Sequence, residues 1–203
     1  MATKGERTRQ RLLEGAIAAF AASGYRGTSV SAIARAAGLT PAAAYAHFPA
    51  KAALFEAAVD ADAGLLLDEA MGGLRPGPPR DRVLGLMARL LEGLPRHPLA
   101  RSVLAGREPE ITGRLLGVPA LERLRATTAA ELAAGQRAGS VRPDLDPATM
   151  ALGLETVVLA LLMALLQVGE PDPELTAARR ASVVAVLDAA LSPPPRGPGR
   201  LDE

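Results

Sequence analysis

The sequence predicts an all-α fold in two unlike parts, a small N-terminal unit of three helices and a larger C-terminal helical domain. Ala and Leu dominate the 203 residues, while β-branched and aromatic residues are few, a balance that favours helices over strands. Apolar residues recur at helical spacing in segments separated by Gly- and Pro-rich breaks. Charge and aromatic content divide the chain. Residues 1–55 hold seven basic and two acidic side chains and all five aromatics; the remainder holds sixteen basic and twenty acidic. A basic block beside an acidic remainder suits a polyanionic partner for the first block only.

Residues 1–6 read as a flexible polar arm. A first helix follows from Thr8 to Ala22, with Leu12, Leu13, Ala16, Ile17, Phe20 and Ala21 along one face. Ser23-Gly24 ends it, since glycine suits the left-handed position past a helix end. A short helix over Ser29–Ala37 is capped by Thr28 or Ser29 and closed by Gly38. Thr40 caps the third, Pro41–His47, and Phe48-Pro49 stops it because a residue before proline avoids the helical region. A fourth helix runs from Ala50 to about Met71. Residues 72–79 form a loop, and Asp81 then caps an amphipathic helix that Pro95 and Pro98 interrupt. One or two helices cover residues 98–136, with Pro109 and Pro119 as breaks. After a loop over 138–145, Asp146-Pro147 opens a strongly apolar helix to Val168. Gly169–Asp172 turns the chain, and Pro173 opens a last helix to Leu191. The expected divisions are residues 1–49 (arm and three-helix unit), 50–71 (connecting helix), 72–192 (larger helical domain) and 193–203 (disordered tail).

Several function classes drop out. There is no cysteine, so no disulfide or thiolate chemistry is expected, and His47 and His97 are not spaced as metal ligands. No Gly-rich phosphate loop or nucleophile–base pair occurs, so no enzyme, no cofactor and no metal are expected. The charged start has no apolar stretch behind it and does not read as a signal peptide. The most apolar run, Met150–Leu166, carries Glu155, and its clean part reads as too short for a bilayer. The expectation is a cytoplasmic protein with no membrane partner.

The stretch Val30–Phe48 meets the demands of a helix-turn-helix. Two short helices cross closely, so the crossing residue must be small, and Ala34 is. The turn needs a residue tolerant of positive φ four positions later, and Gly38 is one. Ile33, Ala37, Leu39 and Ala44 are spaced to anchor both helices. The second helix would project its first turn into a DNA major groove, with Thr40, Pro41, Ala42 and Ala43 there. Thr28, Tyr45, His47 and Lys51 fall around the rim, where phosphates would lie.

Arg9–Phe55 resembles the TetR family of bacterial regulators. The matching residues are Leu13, Ala16, Phe20, Gly24-Tyr25, Thr28, Ile33-Ala34, Ala37-Gly38-Leu39-Thr40, Tyr45, His47-Phe48, Lys51 and Leu54-Phe55, in order and without gaps. The resemblance covers roughly the first quarter of the chain. It implies that Thr28 and Ser29 meet a phosphate, that Thr40, Pro41, Ala42 and Ala43 approach base edges, and that Tyr45, His47 and Lys51 contact the backbone. The recognition turn departs from the family's frequent longer polar side chains. Alanine can touch a thymine methyl but cannot hydrogen-bond to a base. Sequence preference then leans on Thr40, Tyr45, DNA shape and Arg26 or the N-terminal arm.

The resemblance also implies a homodimer, a near-palindromic double-stranded DNA operator and an unknown small-molecule effector that relieves repression by tilting residues 50–71. The last two helices carry apolar surface on most sides: Leu152, Leu159, Leu162 and Leu166 on one, Val183, Val184, Leu187 and Leu191 on the other. One chain of this size can hardly cover both, so a second copy is expected. Glu155 is a carboxylate among leucines and valines. It can point to solvent, pair with Arg101 or Arg114, or face a pocket for a cationic or hydroxylated ligand lined by Met87, Met150 and Met163. With no aromatic after Phe55, an aliphatic ligand suits such a pocket better than a flat one. The alternative is a dimeric helical DNA-binding protein or interaction adaptor without a ligand.

Overall fold

A computed structural model describes residues 3–75, 77–109, 117–168 and 173–193; the expected turn at 169–172 and nearly all of the expected tail lie outside them. The described residues are helical, with no strand among them. The helices are α1 (Lys4–Gly27), α2 (Val30–Ala36), α3 (Pro41–His47), α4 (Lys51–Gly72), α5 (Pro79–Gly93), α6 (Pro98–Leu104), α7 (Pro119–Arg137), α8 (Pro147–Val168) and α9 (Pro173–Leu191). A single turn of 3-10 helix, Leu94–Arg96, separates α5 from α6.

Local chemistry explains most boundaries and corrects several expectations. The N-terminal arm is helical from Lys4, because Thr3 and Glu6 form a reciprocal capping box that satisfies two helix-end donors. The cluster Lys4, Arg7, Arg9 and Arg11 therefore rides on α1. Gly24 breaks that helix at the expected place, leaving the helical region. With φ 70° and ψ 170° it kinks it, and a further turn runs to Gly27. Helix α5 begins at Pro79, two residues before the expected cap Asp81, which sits in the first turn. Pro119 opens α7 as its first residue instead of merely breaking the chain. Helix α3 has the expected bounds, with the Thr40 hydroxyl accepting from Ala43 N at 3.2 Å.

One core runs through both parts of the chain, from Leu12 and Phe20 in α1 through Leu54 and Phe55 in α4 to Leu99 in α6 and Leu162 in α8. The aromatics concentrate at the joint between α1 and α4. Phe20 meets Phe55 edge-on at 4.9 Å between ring centres, and Tyr25 lies 4.9 Å from Phe55. A second, smaller core gathers Leu132, Val141, Ala151, Leu154, Leu187 and Leu191 where α9 closes onto the bundle.

Helix α8 is long and apolar enough to cross a membrane by length and composition: 21 residues, Pro147–Gln167, with mean hydropathy 2.2. The span includes Glu155, so its uninterrupted apolar part is shorter than the helix. The helix packs one face, Leu154, Val158 and Leu162, into the chain's own core. The opposite face leaves Leu152 49% and Val157 43% exposed.

Candidate nucleic-acid interface and interior cavity

Helices α2 and α3 form the helix-turn-helix. Ala34 is fully buried at their crossing, beside Ile33 and Ala44. Gly38 adopts φ 66°, and Leu39 N donates to Ala34 O at 2.8 Å across the turn. The Arg11 guanidinium donates to Ala37 O, pinning the turn to α1. Thr40, Pro41 and Ala42 stand exposed or half-exposed at the start of α3, Ala43 is half-buried, and Tyr45 is 49% exposed one turn on.

The rim residues divide. Lys51, in the first turn of α4, holds its ammonium 4.4 Å from the centre of the Tyr25 ring at the joint of α1 and α4. His47 is half-buried at the end of α3. Ser29 and Arg26 are exposed, and the Ser29 hydroxyl caps α2 by accepting from Ala32 N. Thr28 is buried, and its hydroxyl donates to Gly24 O at 2.8 Å, so that side chain closes the kink in α1. Arg9 lies over the Phe48 ring at 5.2 Å, a placement that sequence reasoning missed.

Behind this unit, α4, α5, α6, α7 and α8 line a cavity of about 80 Å³. Its wall is aliphatic apart from Arg125, Thr128 and Glu155. Glu155 is buried. Its Oε1 accepts from Arg125 Nη1 at 3.2 Å, and its Oε2 has no hydrogen-bond partner among the described residues. Burial pushes the carboxyl above the usual carboxylate range, with the Arg125 charge opposing it.

Residues 12–58 match the family model of TetR-type bacterial regulatory proteins. That segment, α1 through the first turns of α4, is similar to the DNA-binding domain of TetR-type regulators. Solved structures resemble it over most of its length. A protein from Rhodococcus sp. described as a TetR-family transcriptional regulator shares 23% identity, with 91% of this chain and 98% of that one covered at a TM-score of 0.65. One from Mesorhizobium loti so described shares 24%, covering 94% and 100% at 0.64. AibR, solved with isovaleryl coenzyme A and operator DNA, shares 19%, covering 87% and 97% at 0.54. No curated protein matches the chain.

Three carboxylates bond the helix-turn-helix unit and its connecting helix to the helices around the cavity. Asp62 of α4 is buried, and its Oδ2 accepts from Leu99 N at 3.0 Å and Ala100 N at 2.9 Å, capping α6. Its Oδ1 faces His97 Nδ1 at 3.1 Å. The other ring nitrogen faces Glu69, whose carboxyl Arg96 and His97 hold below the usual range. Asp60, also on α4, caps α7 by accepting from Ala120 N at 2.8 Å. Glu108, buried just past α6, accepts from Tyr25 N at 3.1 Å beside the Gly24 kink. Gln167 of α8 donates to Leu104 O and closes the other end of α6. Sequence reasoning found none of these ties. Each residue alone reads as an ordinary surface polar group.

The expected ligand residues fare unevenly. Glu155 lines the cavity, whereas Met87, Arg101, Met150 and Met163 do not. Solvent exposure of Glu155 is corrected, because the side chain faces inward. Its partner is Arg125; Arg101 is exposed on α6, and Arg114 lies outside the described residues. Of the expected dimer residues, Leu162, Leu187 and Leu191 are buried within the subunit, and Leu159 lines the cavity. Leu166, Val183 and Val184 are half-buried, and Leu152 is exposed beside Val157 and, on α9, Val186 at 65%.

Proposed function

We propose that the chain is a homodimeric repressor that binds a near-palindromic operator and is released by a small molecule held in the interior cavity. The observation that carries this reading is mechanical. Helix α4 leads directly out of the helix-turn-helix and caps two helices, α6 and α7, that wall the cavity. A molecule that parts α6 from α7 pulls on α4, and α4 carries the recognition helix. AibR supports the pairing of functions, since it was solved with both a small molecule and operator DNA.

The exposed faces of α8 and α9 supply the dimer contact. Leu152, Val157 and Val186 are large apolar side chains left open, and burying them against a second copy removes that surface from water. A two-fold dimer sets its recognition helices about one DNA turn, ~34 Å, apart. Such a protein works in the cytoplasm, needs no membrane and catalyses nothing.

The test is binding to DNA from upstream of the coding region across a salt series, with Tyr45→Ala and Lys51→Ala alongside. The reading expects salt-sensitive binding that both variants weaken, Lys51→Ala lowering the salt slope by about one. No binding even to random DNA at low salt overturns it.

A further inference from the structure

The orphaned oxygen of Glu155 narrows the chemistry of the effector. A buried acceptor without a partner costs free energy, and native interiors rarely leave one. Glu155 Oε2 is such an atom among the described residues, in a wall otherwise built of Leu, Val and Ala with Arg125 and Thr128. A hydrogen-bond donor arriving with a ligand would satisfy it.

The sign of the ligand's charge follows from the partner on the other oxygen. Arg125 already neutralises the carboxylate at 3.2 Å. An ammonium entering the cavity would lose its hydration and find a charge already compensated. A carboxylate would set its own charge against the free oxygen of Glu155. The aliphatic wall rewards chain length, each buried methylene multiplying affinity about fourfold.

We infer that the cavity takes a neutral aliphatic molecule bearing a hydroxyl, or another uncharged N–H or O–H donor, that bonds to Glu155 Oε2. This rests on the reading of the cavity as the effector site. Glu155 then selects the head group while α4 to α8 select an aliphatic tail.

The test uses full-length protein and calorimetric titration with four matched probes in butyl, hexyl and octyl lengths: the 1-alkanol, its methyl ether, the alkylammonium and the alkanoate. The wild type is expected to bind the alkanol about tenfold more tightly than the ether, which keeps the oxygen but loses the donor, and to bind both ions more weakly than the alkanol. Glu155→Leu is expected to bind the ether at least as well as the wild type and to lose the preference for the alkanol; its circular dichroism reports that it folds. An alkanol no better than its ether, a preference surviving in Glu155→Leu, or an ion binding most tightly overturns the inference about the donor and leaves the cavity as an effector site. Failure of all four probes at every length overturns both.

Discussion

Asp62→Ala tests whether α6 is held by a single side chain. The residue is buried and accepts two backbone bonds at 3.0 and 2.9 Å from the first turn of a seven-residue helix. A helix that short has no stability of its own. Truncation leaves Leu99 N and Ala100 N unpaired beside an apolar core, at about 1–3 kcal/mol each. It also strips His97 Nδ1 of its carboxylate. The two unpaired donors together put the loss at about 2–6 kcal/mol. Urea unfolding measures it as a lowered midpoint with the slope unchanged, and Asp62→Asn, which keeps one acceptor, should lose about half as much. A loss below about 1 kcal/mol for Asp62→Ala would refute the reasoning, because water would then replace the cap at little cost.

The other predictions concern the remaining joints. Glu155→Gln removes a carboxyl whose folded pKa is raised, so the wild type should gain stability relative to the variant as pH falls from above that raised value towards 4.5; thermal melts at several pH values read it. Gly38→Ala places a β-carbon on a residue with φ 66° and should cost about 1–2 kcal/mol, seen in the melting temperature, with weaker operator binding. Val157→Asp puts a charge on the open face of α8 and should give a folded monomer by light scattering, with salt-sensitive DNA binding much reduced. Glu108→Ala cuts the bond to Tyr25 N and should change effector-induced release by about 0.5–2 kcal/mol of coupling, measured as operator affinity with and without a bound probe.

The parts of this protein that are legible in the sequence are those set by neighbours in the chain. Helix α3 can be read to the residue, because Thr40, Pro41 and Phe48-Pro49 act within one turn. Gly38 is legible for the same reason. Gly24 is legible as the break in α1, though not the short turn Tyr25–Gly27 that follows it. The ties to the cavity are not legible, since they join residues far apart: Asp62 to Ala100 across 38 positions, Asp60 to Ala120 across 60, Glu108 to Tyr25 across 83. Periodicity marks an apolar face but not which side of a helix turns inward. The pattern therefore assigns Leu187 and Leu191 to a partner, although they fill the subunit's own second core.

These ties set a scale for regulation. An effector that lowers operator affinity a hundredfold must supply about 2.7 kcal/mol of differential binding between two helix arrangements. That is close to the worth of one or two charge-assisted bonds such as those from Asp60 and Asp62. A ligand that parts α6 from α7 by enough to stretch either cap therefore spends a comparable energy on α4, and anything smaller leaves the recognition helices where they were. A chain longer than the space between these walls cannot bind without moving one of them. Short and long alkyl chains with the same head group should then separate binding from release. A short chain fills the space and leaves DNA affinity unchanged, and a longer one lowers it.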